Sequence, residues 1–150
     1  MTALDRFSRA GLIDGRAVRS ASEAALNRFH IRSPGVDAEA RKLSGGNQQK
    51  LMLSKWLEIE PLIVLIKEPT KGVDVEAKRE IHHEFRTLGA AGKAVLIVSS
   101  DLPELFAVTD RIVVMREGRV VGALETRRTS EEEVMRLASG ATRQRGGEAA

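Results

Sequence analysis

Leu62-Ile63-Val64-Leu65-Ile66-Lys67-Glu68-Pro69-Thr70-Lys71-Gly72-Val73-Asp74 is the stretch on which the fold turns. Its first five residues are an unbroken apolar run, which suits a strand covered on both faces, as in a parallel sheet. Glu68 stands just past that strand, at the carboxyl edge of the sheet, where α/β proteins bind their ligands. Pro69 stiffens the turn, and Asp74 is placed to cap a helix. The apolar side of that helix is Ala77, Ile81, Phe85 and Leu88, with Gly89 as its C-terminal stop. Ala94–Val98 is a second buried strand, and Val98-Ser99-Ser100-Asp101 ends it in the same manner as the first.

Reading outward toward the C-terminus, Asp101-Leu102-Pro103-Glu104 resembles a capping box, with Pro103 tolerated in the first helical turn. Arg111–Met115 and Arg119–Leu124 flank Arg116-Glu117-Gly118 and read as a β-hairpin. Ser130 caps a short helix that ends near Gly140, and the last ten residues, 141–150, read as a disordered tail. Toward the N-terminus, Pro61 closes a helix over Gln48–Glu58. Its buried face is expected to be set by Met52, Leu53, Trp56 and Leu57. Ser33-Pro34-Gly35 is a turn, and Arg16–Phe29 carries Val18, Ala21, Ala25 and Phe29 at helical spacing. Strands alternating with helices predict an α/β fold with a mostly parallel sheet.

The chain has 150 residues, 42% hydrophobic and 30% charged, enough to bury a core. Lys and Arg total 24 against 21 Asp and Glu. This net charge of +3 is dispersed and not interleaved with aromatics, so a nucleic-acid partner is not expected. Cysteine is absent, which excludes disulfides, thiolate metal sites and cysteine nucleophiles. The apolar runs are too short to cross a bilayer, and the N-terminus does not read as a signal peptide. A soluble, cytoplasmic chain is the expectation.

Ser44-Gly45-Gly46-Asn47 opens the Gln48–Glu58 helix. A helix N-terminus exposes unpaired N–H groups and a partial positive charge, two glycines admit close backbone approach, and a serine adds a hydroxyl. Alone, the motif is a common helix cap. Together, LSGGNQQK (Leu43–Lys50), EPTKGVD (Glu68–Asp74), VSSDLPEL (Val98–Leu105) and RIVVMREGRVVG (Arg111–Gly122) resemble the ATP-binding-cassette (ABC) ATPases. More narrowly, they resemble the C-terminal part of the second ATPase domain of bacterial importers for ribose-, xylose- and galactose-like sugars.

The resemblance implies a partial P-loop NTPase core. Residues 1–42 would be a helical-subdomain segment, and 43–140 the core from signature motif to C-terminal hairpin and helix. Ser44, Gly45, Gly46 and Asn47 would be the signature that faces the γ-phosphate of ATP held by another module. Ile63–Ile66 would be the Walker B strand, Glu68 the carboxylate that polarises the attacking water, Asp74 part of the D-loop, and Ser100 the switch position. The implied cofactors, ATP and Mg2+, belong to a complete assembly. The implied partners are a second ABC ATPase module, an integral membrane permease and, indirectly, an extracytoplasmic sugar-binding protein. Such a chain would lie peripherally on the inner face of the membrane.

Three departures qualify the resemblance. Lys67 stands where the family places a Mg2+-binding Asp, and a protonated lysine cannot ligate a metal. Ser100 replaces the histidine usual in ABC ATPases, as is common in the second halves of the sugar importers. No Gly-x-x-x-x-Gly-Lys-Ser/Thr segment occurs. Gly89-Ala90-Ala91-Gly92-Lys93-Ala94 has the wrong spacing and precedes a strand, so it reads as a helix-to-strand turn. The isolated chain is therefore expected neither to bind ATP tightly nor to hydrolyse it, and to be poorly stable or oligomeric. The rival reading is a non-catalytic ABC-like module that docks to a permease or another ATPase, or a truncated, inactive remnant.

Other clusters read as structure. His82 and His83, flanked by Glu80 and Glu84, point about 100° apart on a helix and read as a solvated surface. His30 beside its turn is structural. Met52 and Trp56 read as core or a subdomain contact. Arg127, Arg128, Arg143 and Arg145 read as surface.

Overall fold

Asp14, Ser44, Asp74, Asp101 and Ser130 each cap a helix through the side-chain oxygen, so the element borders follow from short polar residues placed before apolar periodicity. The computed structural model describes residues 4–9 and 11–141. The chain divides after Ser99 into two compact units.

In the first unit, a 3-10 turn and a minimal antiparallel pair, β1 (Ser8–Arg9) and β2 (Leu12–Ile13), precede α1 (Gly15–Arg28). Then come α2 (Gly45–Leu57), β3 (Ile63–Lys67), α3 (Val75–Ala90) and β4 (Ala94–Val98). Strands β3 and β4 pair in parallel, in register from Ile63↔Ala94 to Lys67↔Val98, so α3 is the crossover of a βαβ unit. The core joins Phe29, Ile31, Leu53, Leu57, Ile66, Ile81, Phe85 and Leu88.

Four expectations are corrected here. Strands β3 and β4 are covered on one face only. Val64, Ile66, Val95 and Ile97 face the core, while Ile63, Leu65 and Leu96 are 71%, 70% and 56% exposed. In-register parallel pairing puts both members of each rung on one face, and the buried core lies against a single face. Helix α3 runs through Gly89 to Ala90 and stops at Gly92, whose φ of +78° lets the Lys93 N–H reach back to the Leu88 carbonyl. Met52 and Trp56 are 42% and 52% exposed, because the buried stripe of α2 runs through Gly46, Lys50, Leu53, Ser54 and Leu57. His82 is buried beside Ile81 and Phe85, while His83 is exposed.

The second unit holds α4 (Leu102–Val108), the antiparallel hairpin of β5 (Arg111–Arg116) and β6 (Arg119–Glu125), and α5 (Glu131–Ser139). Glu117 and Gly118 both have positive φ, the two-residue turn whose twist matches a right-handed hairpin. Ile112, Val114 and Val134 form its core, against Leu105, Phe106 and Leu137. Among the described residues no helix is long and apolar enough to cross a membrane. Residues 142–150 of the expected tail lie outside the described residues.

Candidate functional site

The signature-like segment is built from backbone outward. A 3-10 turn over Ala40–Lys42 leads into Ser44, whose extended backbone (φ −61°, ψ 157°) starts α2. The Ser44 hydroxyl accepts from the Asn47 side-chain amide at 2.9 Å and from the Asn47 N–H at 3.4 Å. Asn47 Oδ1 in turn accepts the Arg32 N–H at 2.9 Å, tying the segment to the chain that follows α1. The Gln48 side chain donates to the Leu43 carbonyl at 2.8 Å. Ser44 and Gly45 are exposed, while Gly46 is buried and the Asn47 N–H is taken by the Ser44 hydroxyl, so the solvent-facing part of the α2 N-terminus is its Ser44–Gly45 start.

Helix α3 begins beside this edge. Asp74 accepts the Ala77 N–H at 2.9 Å. That backbone hydrogen bond holds the Asp74 carboxyl below the ordinary carboxylate range, with a smaller contribution from the Lys50 ammonium. Gly46 packs tightly against the start of α3. A Cβ there would lie 2.7 Å from Ala77 Cβ and 3.1 Å from Asp74 Oδ2. Ser44, Asn47 and Asp74 line one small cleft of about 50 Å3, with Arg32, Lys50, Glu76 and Glu80. Two ion pairs, Arg32 with Glu76 at 2.8 Å and Lys50 with Glu80 at 2.6 Å, leave the Asp74 carboxylate as its remaining charge.

Glu68 and Lys67 are not among the residues that line this cleft. Glu68 is half-buried just past β3 with φ of +50°. It is held there by its N–H donating to the Val98 carbonyl at 2.7 Å, while its carbonyl accepts from the Lys71 N–H. Lys67 is exposed at the last rung of the sheet. Ser100 is exposed and begins the second unit.

The exposed start of α2 carries the partial positive charge of a helix N-terminus. Lys67 does not fit Mg2+, since an ammonium offers no lone pair, and the described residues hold no group of three or more His, Asp or Glu suited to a metal. Arg32 and Glu76 were not singled out from the sequence; Lys50 entered only as the end of LSGGNQQK, and Glu80 only as a flank of His82 and His83. The available signal was spacing: Lys50 follows Gly46 by four residues and Glu80 follows Ala77 by three, so each repeats a helix face.

A parallel βαβ unit with a glycine-led helix N-terminus packed on the helix after the strand defines the class. The chain has the fold of ABC ATPase cassettes. It superposes with a TM-score of 0.69 on an ATP-binding cassette in a dimeric, post-hydrolysis state with ADP and phosphate, at 24% identity over 86% of this chain and 58% of that one. A cassette of an ABC transporter in its ADP conformation gives 0.66 at 23% identity, over 91% of this chain and 51% of that one. In sequence the chain is similar to ribose import ATP-binding proteins. It is 45% identical over 130 residues to RbsA 2 of Rhizobium etli, 44% over 142 residues to RbsA of Yersinia pestis, and 46% over 134 residues to RbsA of Streptococcus agalactiae. These alignments cover 87%, 95% and 89% of this chain and 26%, 28% and 27% of the relatives' lengths. The chain thus spans about a quarter of the length of those curated relatives. No protein-family model matches it.

Proposed function

We propose that this chain serves an ABC importer as the signature-bearing part of its ATPase, coupling ATP to carbohydrate uptake. The observation that carries the reading is the exposed Ser44–Gly45 edge of α2, locked through Gly46 against Asp74. In this reading Ser44, Gly45, Gly46 and Asn47 complete an ATP site whose P-loop belongs to a second ABC module. The α2 amides and the Ser44 hydroxyl stabilise charge on the terminal phosphate without reorganising, because the cap already fixes them. Asp74 connects that edge to the helix beside it; Glu68, outside the cleft that holds Ser44, is the carboxylate that would orient water at this chain's own, incomplete site, where Ser100 occupies the switch position without a titratable group. ATP supplies the phosphoanhydride, and its Mg2+ is held by the other module. Residues 1–42 act as a helical-subdomain segment and 43–140 as the partial core. An integral membrane permease, and through it an extracytoplasmic sugar-binding protein, are the further partners, with the chain on the inner membrane face. The similarity to ribose import ATP-binding proteins supports the sugar class.

Lys67 favours a second reading, a docking module without chemistry of its own. Its cation stands at the end of β3, where the resemblance puts a metal-binding carboxylate.

The test is turnover. The chain alone is expected to show no MgATP hydrolysis, whereas adding it to a cassette that carries a P-loop is expected to accelerate that cassette. Ser44→Arg, which fills the exposed edge, should remove the acceleration. Turnover by the chain alone that disappears in Glu68→Gln would overturn the trans assignment. Acceleration unchanged by Ser44→Arg would leave the docking reading in its place.

A further inference from the structure

Lys50 is only 5% exposed, and an ammonium is rarely so buried unless it is fully paired. Its Nζ donates to Glu80 Oε2 at 2.6 Å and to the His30 carbonyl at 2.6 Å. Both are short, charge-assisted bonds, and they reach two different elements. Glu80 is on α3. His30, at φ of +48°, forms the turn closing α1, where the Ile31 N–H returns to the Leu26 carbonyl. The His30 carbonyl lies just past the C-terminus of α1, whose partial negative charge favours a cation beside it. One side chain on α2 therefore binds both α1 and α3.

We infer that Lys50 is a positioning residue that fixes the Ser44–Asn47 edge in register with Asp74; this rests on that edge being the phosphate-facing one. Gly46 and Ala77 approach closely near the start of the two helices, and Leu53 and Leu57 pack into one core with Ile81 and Phe85 further along. Gly46 and Lys50 are four apart on α2, and Ala77 and Glu80 are three apart on α3, so each pair shares a helix face. The Lys50–Glu80 pair is a second rung about 5.4 Å along the helix from the first. The pair fixes the polar end of this interface, where the apolar core does not reach, and the His30 carbonyl braces it from the turn that closes α1. A buried ion pair is a poor source of net stability, and its better use is to specify one arrangement. Asn47 and Arg32 add a lighter link on the outer side, through the Arg32 N–H and the Arg32–Glu76 pair. Neither replaces Lys50, since both lie at the exposed rim.

The experiment compares Lys50→Met, Lys50→Arg and Glu80→Gln in the full chain. The readouts are backbone amide spectra and acceleration of a P-loop-bearing cassette by each variant. Lys50→Met is expected to shift the Gly46, Asn47 and Asp74 amides and to lower maximal acceleration, while the concentration giving half-maximal effect stays fixed. The loss should be on the order of 10²-fold, as for small misplacements of a reacting geometry. Lys50→Arg, which keeps the charge and both acceptors, should recover most of it. Should Lys50→Met fail to fold, Glu80→Gln leaves Lys50 on the His30 carbonyl and is expected to give a smaller loss of the same kind. Wild-type spectra and acceleration in Glu80→Gln or Lys50→Met would overturn the assignment. A wild-type chain that accelerates nothing overturns the functional reading instead, and the amide shifts then decide the role of Lys50 alone.

Discussion

Gly46 carries two requirements at once. At a helix N-terminus proposed to meet phosphate, glycine admits close backbone approach, and Ser44-Gly45-Gly46-Asn47 suggests that reading. The second requirement lies in the packing: a methyl group there would sit 2.7 Å from Ala77 Cβ, well inside van der Waals contact. Gly46→Ala should therefore separate α2 from α3 and cost about 1–3 kcal/mol of overpacking strain, read from urea unfolding. Restoring the space with Ala77→Gly in the same chain should recover most of it. A Gly46→Ala curve superimposed on wild type would show that α2 and α3 do not meet this closely. Met52 and Trp56 are the opposite case. Their spacing fits a buried stripe as well as that of Leu53 and Leu57, and only the direction in which α3 lies selects the second pair.

Among the elements, helices were legible because capping is local chemistry. Asp74 takes the first-turn amide of α3 wherever the rest of the chain lies. Strands were legible as strands but not by face. An unbroken apolar run such as Ile63–Ile66 hides the alternation that distinguishes covered from bare. The cap on α3 carries a pH signature whose sign follows from its cause. The Ala77 N–H bond lowers the Asp74 carboxyl in the folded state, so the unfolded chain takes up its proton first as pH falls. The stability it lends is complete above the unfolded value and is lost as pH drops through the folded one. Helical signal followed by circular dichroism should thus fall in acid below the ordinary carboxylate range. Asn is as good a cap without the charge, so Asp74→Asn should keep its helix at neutral pH and flatten the part of the acid limb due to this residue. An Asp74→Asn profile identical to wild type throughout would remove the cap from the account of acid lability.

For the whole molecule, the deciding feature is what each unit leaves uncovered. The first unit buries one side of β3–β4 and leaves Ile63, Leu65, Leu96 and Val98 in solvent on the other. Parallel sheets are otherwise found with both faces covered. A two-stranded sheet also has two unpaired edges, which template further strands. With a net charge of only +3 over 150 residues, little long-range repulsion opposes contact. The isolated chain is therefore expected to associate with copies of itself through this face, giving a sedimentation coefficient that rises with concentration. Leu65 and Leu96 are partners on one rung, so Leu65→Lys with Leu96→Glu would place an ion pair on the bare face without altering net charge or the buried side. That double variant should sediment as a monomer with wild-type helical content. A dilute wild-type monomer that melts in one sharp, cooperative transition would mean the bare face is tolerated in water, and the association argument would fail.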